Sequence, residues 1–180
     1  EVVLQDVAAL NLIEERLGDR EEAIAAWREV LDQHGDVEVA LQALFNIYEK
    51  DGRWTDAAEV LRRKVQQVSD PDVAVELLTQ LAALHAEKLD QQAESILIWA
   101  DVARRKPSHP RANMALRDAY IAAGRWDDLV ALFEAQNRLG EVLDVLYQAA
   151  EAVGDEAERL SLYRRIATLS RDRLGEPERG

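Results

Sequence analysis

The residues of this chain best suited to chemistry are three histidines, a surplus of carboxylates and four tryptophans. His34 falls at an expected helix end, where an imidazole meets the last carbonyls. His109 precedes Pro110 in an expected turn. His85 shares an expected helix with Glu87, but His-x-Glu does not put both side chains on one helix face. No second histidine stands at the i, i+4 spacing of helical metal sites. Structural or surface roles are therefore expected for all three, and no metal site. The chain has no cysteine, which removes disulfides and thiolate metal ligands. Its glycines stand singly at turns, so no phosphate-cradling loop forms, and no serine lies in a Gly-x-Ser-x-Gly context. The carboxylates follow helical spacing on solvent faces, without the pocket an acid–base pair needs. No catalytic residue and no cofactor site is read, and the chain by itself is expected not to be an enzyme.

Charge points the same way. Thirty-five acidic residues against 22 basic ones give a net charge of −13 and a pI near 4.7. A surface this acidic argues against nucleic acid or anionic membrane as partner, since both reward a basic stripe. No run of 18 apolar residues exists, so no direct membrane insertion is expected. The absence of cysteine does not fix the compartment, although a cytoplasmic one is slightly favoured. The sequence opens at Glu1 inside a periodic apolar pattern, as expected of a fragment of a longer chain.

The tryptophans lead to the elements that hold these residues. A shift of 72 residues places Trp27 on Trp99, Trp54 on Trp126 and Tyr48 on Tyr120. It also places Gly52-Arg53-Trp54-x-Asp56 on Gly124-Arg125-Trp126-x-Asp128. Rare residues that agree at one offset point to duplication. Each copy divides again: the turn positions Gly18, Gly52, Asp90 and Gly124 are spaced 34, 38 and 34. Within the units the apolar spacing is helical, as in Ala23-Ile24-Trp27-Val30-Leu31 and Leu41-Leu44-Phe45-Tyr48. Ten helices are expected, at 2–17, 20–34, 37–51, 54–68, 72–88, 91–105, 109–123, 126–137, 140–153 and 156–174. Gly18, Gly35, Gly52, Gly124 and Gly154 are placed to end helices. Asp19, Asp36, Ser69, Asp70 and Ser108 are placed to cap the next ones. Pro71, Pro107 and Pro110 fall between helices. All four tryptophans are expected to pack between helices rather than to form a ligand cage.

Gly18-Asp19…Ala23…Trp27…Val30 and Gly52-Arg53-Trp54…Ala57…Leu61, with Asp90…Ser95…Trp99…Val102 and Gly124-Arg125-Trp126…Leu129…Phe133, resemble tetratricopeptide repeats (TPRs) of the degenerate bacterial kind. The resemblance implies an all-α, α-solenoid fold of antiparallel helix pairs wound into a right-handed superhelix. Residues 1–137 would form four TPR-like pairs in a 72-residue double repeat. Residues 138–180 would be irregular C-terminal helices continuing or capping the same solenoid. The pattern departs at Asn11, Phe45 and Arg117, where a small residue is expected in the first helix, and at Lys64 and Gln136 in the second. About 13 residues are in excess between Gly124 and Arg173-Leu174-Gly175-Glu176, which looks like another turn.

The resemblance also implies a concave face lined by first helices. Its candidate partner-binding residues are Asn46, Glu49, Lys50, Gln80, Leu84, Glu87, Lys88, Arg111, Met114 and Asp118. Polar amides, alternating charge and a few apolar residues suit a protein or peptide laid along the face. The expected function is a protein–protein interaction scaffold. Two alternatives stand beside it: a structural self-assembly module, with homo-oligomers formed through the C-terminal helix bearing Arg159, Arg164, Arg165, Arg171 and Arg173, and an accessory repeat domain of a larger enzyme or signalling protein.

Overall fold

A computed structural model of the chain describes residues 20–174. Over that range it is all-helical, with nine α-helices and no strand. The chain divides at Arg105 and Lys106 into two compact units. The first contains α1 (Arg20–His34), α2 (Glu38–Lys50), α3 (Trp54–Gln67), α4 (Pro71–Glu87) and α5 (Gln92–Arg105). The second contains α6 (Pro110–Ala122), α7 (Trp126–Ala135), α8 (Leu139–Ala152) and α9 (Glu156–Leu169), closed by a π-helical turn at Ser170–Leu174. Within each unit every helix packs on the next, the arrangement expected of an α-solenoid. The expected helix at 2–17, with Gly18 and Asp19, lies outside the described residues.

Burial follows the periodicity. Ile24, Trp27, Leu41, Leu44, Ile47 and Leu61 gather with Leu77, Leu81 and Leu84 in the core of the first unit. Trp99 is buried as well, so Trp27 and Trp99 both serve as packing residues. Leu116, Leu129, Leu143, Leu146, Leu162 and Ile166 are fully buried in the second unit. Each such side chain contributes on the order of 1.5–3 kcal/mol through removal from water.

The alternation of 34 and 38 residues has a simple source. Helix α4 has 17 residues where its counterparts α2 and α6 have 13. Four extra residues make about one helical turn, so the added length nearly preserves which face meets the core.

Helix starts differ from expectation in detail. Asp70 caps α4, accepting from the Asp72 and Val73 N–H groups at 2.9 and 3.4 Å. Asp36 does not cap α2; it binds Arg63 of α3, with the Arg63 Nε–Oδ1 bond at 2.8 Å. Nor is Ser108 the cap of α6. His109 takes that place, its Nδ1 accepting from the Ala112 N–H at 3.2 Å. Pro71 and Pro110 lie at the first position of their helices rather than between helices, where a missing N–H costs nothing. Gly35, Gly52 and Gly124 have positive φ, whereas Gly154 does not.

Candidate functional site

The duplicated Gly-Arg-Trp-x-Asp segment forms the same turn twice. Gly52 and Gly124 adopt φ of 68° and 64°. The Arg53 N–H donates to the Tyr48 carbonyl and the Arg125 N–H to the Tyr120 carbonyl, both at 2.8 Å. Each arginine side chain lies over the ring of that tyrosine, 4.9 and 4.8 Å from its centroid. Each donates from Nε to the aspartate three residues on at 2.8 Å, Arg53 to Asp56 and Arg125 to Asp128. That bond raises both guanidinium pKa values above their ordinary level, and burial pushes the Tyr120 hydroxyl up.

A third copy of this turn joins α7 to α8. Asn137 has φ of 56°, the Arg138 N–H donates to the Phe133 carbonyl at 2.9 Å, and Arg138 lies 5.7 Å from the Phe133 ring centroid. Its Nε donates to Glu141 at 2.6 Å. The spacing aromatic-x3-turn-Arg-x2-acid is that of the other two, with Phe for Tyr, Asn for Gly and Glu for Asp. Sequence reading missed it because all three marker residues changed to their closest substitutes. The third turn follows the second by 13 residues, which equals the excess noted in the period. A short helix, α7, is thus bracketed by two copies of one turn.

The candidate binding residues divide between the units. In the first, Asn46, Glu49 and Lys50 are exposed on α2, as is Gln80 on α4 and Glu87 and Lys88 at its end. Lys88 reaches over the Trp54 ring at 5.1 Å. Leu84 differs: at 9% exposure it belongs to the hydrophobic core. In the second unit Arg111, Met114 and Asp118 are exposed on α6.

Three register positions recur at the 34- and 38-residue spacings, and all are exposed on each first helix. They are Val39, Val73 and Arg111; Gln42, Glu76 and Met114; and Asn46, Gln80 and Asp118. Steps of three and four residues put each trio on one helical stripe. Six large hydrophobic side chains are exposed among the described residues, and Val39, Val73 and Met114 of this stripe are three of them. On α2 the stripe is tied by a chain of hydrogen bonds. Lys64, 8% exposed on α3, passes its ammonium to Gln42 and, at 3.1 Å, to Glu38, while Gln42 donates to Asn46 at 2.9 Å.

His85 is buried at 2% exposure and cross-links α4 to its neighbours. Its Nε2 is 3.1 Å from Arg62 Nη2, and its Nδ1 is 2.7 Å from Gln91 Oε1. Arginine only donates, so Nε2 accepts and Nδ1 donates to Gln91. This is a core histidine held in one tautomer. Among the described residues no three His, Cys, Asp or Glu side chains gather to hold a metal ion, and no helix is long and apolar enough to cross a membrane. In the arginine-rich last helix, Arg165 pairs with Asp127 of α7 and, beyond it, Arg171 pairs with Asp172.

The tetratricopeptide repeat family profile matches residues 40–72 and 114–141, which take in α2 with α3 and α6 with α7. Among solved structures, YrrB, described as a TPR protein with an unusual peptide-binding site, aligns over 94% of this chain and 87% of its own. That alignment has 15% identity and a TM-score of 0.47. No curated protein matches the sequence. The chain is a TPR-like helical repeat protein, an all-helical α-solenoid. Repeats of this kind are generally non-enzymatic and serve as protein–protein interaction scaffolds.

Proposed function

We propose that this protein binds a protein or peptide partner along the exposed stripe of its first helices in the first unit, α2 and α4. The observation that carries the reading is the recurrence of exposed Val39 and Val73 beside exposed Asn46 and Gln80, at the 34-residue spacing of the repeat itself. An apolar side chain left in water at the same register of successive repeats, flanked by side chains able to hydrogen-bond a peptide backbone, is the pattern of a recognition surface. Scattered exposed hydrophobics would show no such register. Glu49, Lys50, Glu87 and Lys88 lie at the ends of α2 and α4 and would extend contacts toward charged flanks.

The test uses the whole chain immobilised and crosslinked in a lysate of its source cells, with bound proteins identified by mass spectrometry. Val39→Asp, Val73→Asp, Asn46→Ala and Gln80→Ala change exposed side chains, and circular dichroism verifies that each variant folds. A specific partner lost at least tenfold in the combined variant supports the reading. A partner retained unchanged by that variant refutes the stripe.

A further inference from the structure

In the second unit the repeat opens into a groove of about 780 Å³ between α6 and the end of α7 with its turn. That volume is within the range of ligand pockets. Its apolar walls include Pro110, Met114, Leu132 and Phe133. A shift of 72 residues shows what closes the same place in the first unit. There α3 runs 14 residues, to Gln67, and carries Arg63 and Lys64, which tie to Asp36 and to Gln42 with Glu38. Phe45 packs against the core of that unit. In the second unit α7 stops after 10 residues because the third turn begins at Phe133. Arg63 becomes Ala135, Lys64 becomes Gln136 and Phe45 becomes Arg117. The space filled by three long side chains in one copy is vacant in the other.

The chemistry of the vacancy is specific. The chain holds 35 acidic residues, yet the groove lining includes Arg117 and Arg138 and no carboxylate. The first turn of α6 beside it has no acidic residue either, so the positive end of that helix is not neutralised from within. Lys106 and Arg111 stand on either side of His109 and, after burial, hold its pKa below the ordinary value. Arg117 and Arg138 are paired with Asp118 and Glu141, but exposed pairs of this kind are worth only about 0–1 kcal/mol and are readily exchanged for a ligand anion. Inside, Asn113 donates from Nδ2 to the Pro107 carbonyl at 2.7 Å. Its Oδ1 is buried without a donor.

We propose that this groove seats one bulky apolar side chain of an acidic peptide segment from a partner protein, between Met114 and Phe133, with flanking carboxylates drawn to Arg117 and Arg138. The proposal rests on the reading of this chain as a peptide-binding scaffold and names the chemistry of its ligand.

The experiment is a peptide-display selection on the full chain, followed by fluorescence-anisotropy titration of the recovered peptides. The expected sequences carry Leu, Ile, Phe or Trp among Asp and Glu. Met114→Glu and Arg117→Glu, both at exposed positions, are expected to weaken them at least tenfold, and raising salt from 50 to 300 mM to weaken them further. Leu97→Ser, at an exposed position of α5 outside both the stripe and the groove, is expected to leave a short peptide's affinity within twofold. Peptides that are basic, or that bind the groove variants unchanged, overturn the groove while leaving the scaffold reading in place. A selection that enriches no peptide overturns both.

Discussion

Gly52→Ala and Gly124→Ala test the duplicated turn directly. Both glycines sit in the left-handed region, at φ of 68° and 64°, where an L-residue costs about 1–2 kcal/mol. Sterics add little. A Cβ at 52 would meet Trp54 Nε1 at 3.8 Å, and one at 124 would meet Trp126 Nε1 at 3.8 Å and Glu158 Oε1 at 4.0 Å, all ordinary contacts. The loss is therefore the backbone term alone, and the two variants should agree. For a chain of 180 residues, each kcal/mol shifts Tm by roughly 2–4 °C, so a fall of about 2–8 °C is expected. Gly140→Ala is the control. It lies in the first turn of α8 without positive φ, and its added Cβ meets nothing within 4 Å. A change from neutral to a gain of up to about 1 kcal/mol is expected there. Asn137→Gly should behave like the control, since it removes strain at φ of 56°. Calorimetric or circular-dichroism melts decide the matter. If Gly124→Ala melts with Gly140→Ala, the turn is not left-handed and its equivalence to the Asn137 turn fails.

Protonation of His109 removes its Nδ1 as acceptor for the Ala112 N–H. Its pKa is lowered in the fold, by burial first and then by Lys106 and Arg111, so the cap's contribution is present above the ordinary 6.5 and is lost as pH falls through the lowered value. His109→Asn, which keeps an acceptor that does not titrate, should flatten this part of the pH–stability profile by about 0.5–2 kcal/mol; an unchanged acid limb in melts from pH 8 to pH 4 would refute the cap. Asp70→Ala should cost about 0.5–2 kcal/mol for two lost N–H partners, with equal stability in urea titration counting against it. Lys64→Met should match or exceed the parent, because a buried ammonium is replaced by an apolar chain of similar shape, while Lys64→Ala loses about 2 kcal/mol of packing. Parallel melts with Met and Ala equally far below the parent would show that the ion pair, not the stem, matters at that position.

Much of this architecture was legible because helix packing repeats its demands. Trp27 and Trp99 are buried at equivalent places, and a large residue flanked by Ile and Val at helical spacing has few other uses. The nine expected helices within the described range are found with their ends within about two residues, except that the last turns π-helical at Ser170. Local hydrogen-bond choices were less legible. Asp36 has the residue type of a cap, yet Arg63 lies one helix away and forms a charged pair with it; no spacing along the chain reveals a partner 27 residues distant. Leu84 was misplaced for a related reason. The candidate face was carried from α2 to α4 at the 38-residue spacing, Asn46 to Leu84, and four inserted residues turn a side chain about 40° beyond a full turn. The groove was not read at all, because it arises from the early end of α7, and Asn137 does not announce a turn as Gly does.

The two copies show how a repeat protein divides its labour without changing its fold. One register position, Lys64 in the first copy and Gln136 in the second, sits beside the same helix pair. Where Lys64 lies, the long stem fills the space between helices and its ammonium is consumed by Gln42 and Glu38. Where Gln136 lies, the side chain folds back to donate to the Leu132 carbonyl at 2.9 Å. Filling the space favours stability; leaving it open exposes Met114 and lowers the local stability of the unit. Such an opening persists only if the remaining contacts suffice, and the fully buried Leu116, Leu129, Leu143 and Leu146 supply them. Closing the groove with Ala135→Leu and Gln136→Met, long side chains that bring no unpaired charge, should therefore raise Tm while abolishing the binding of acidic peptides. A variant that gains stability and keeps its ligands would separate the vacancy from function.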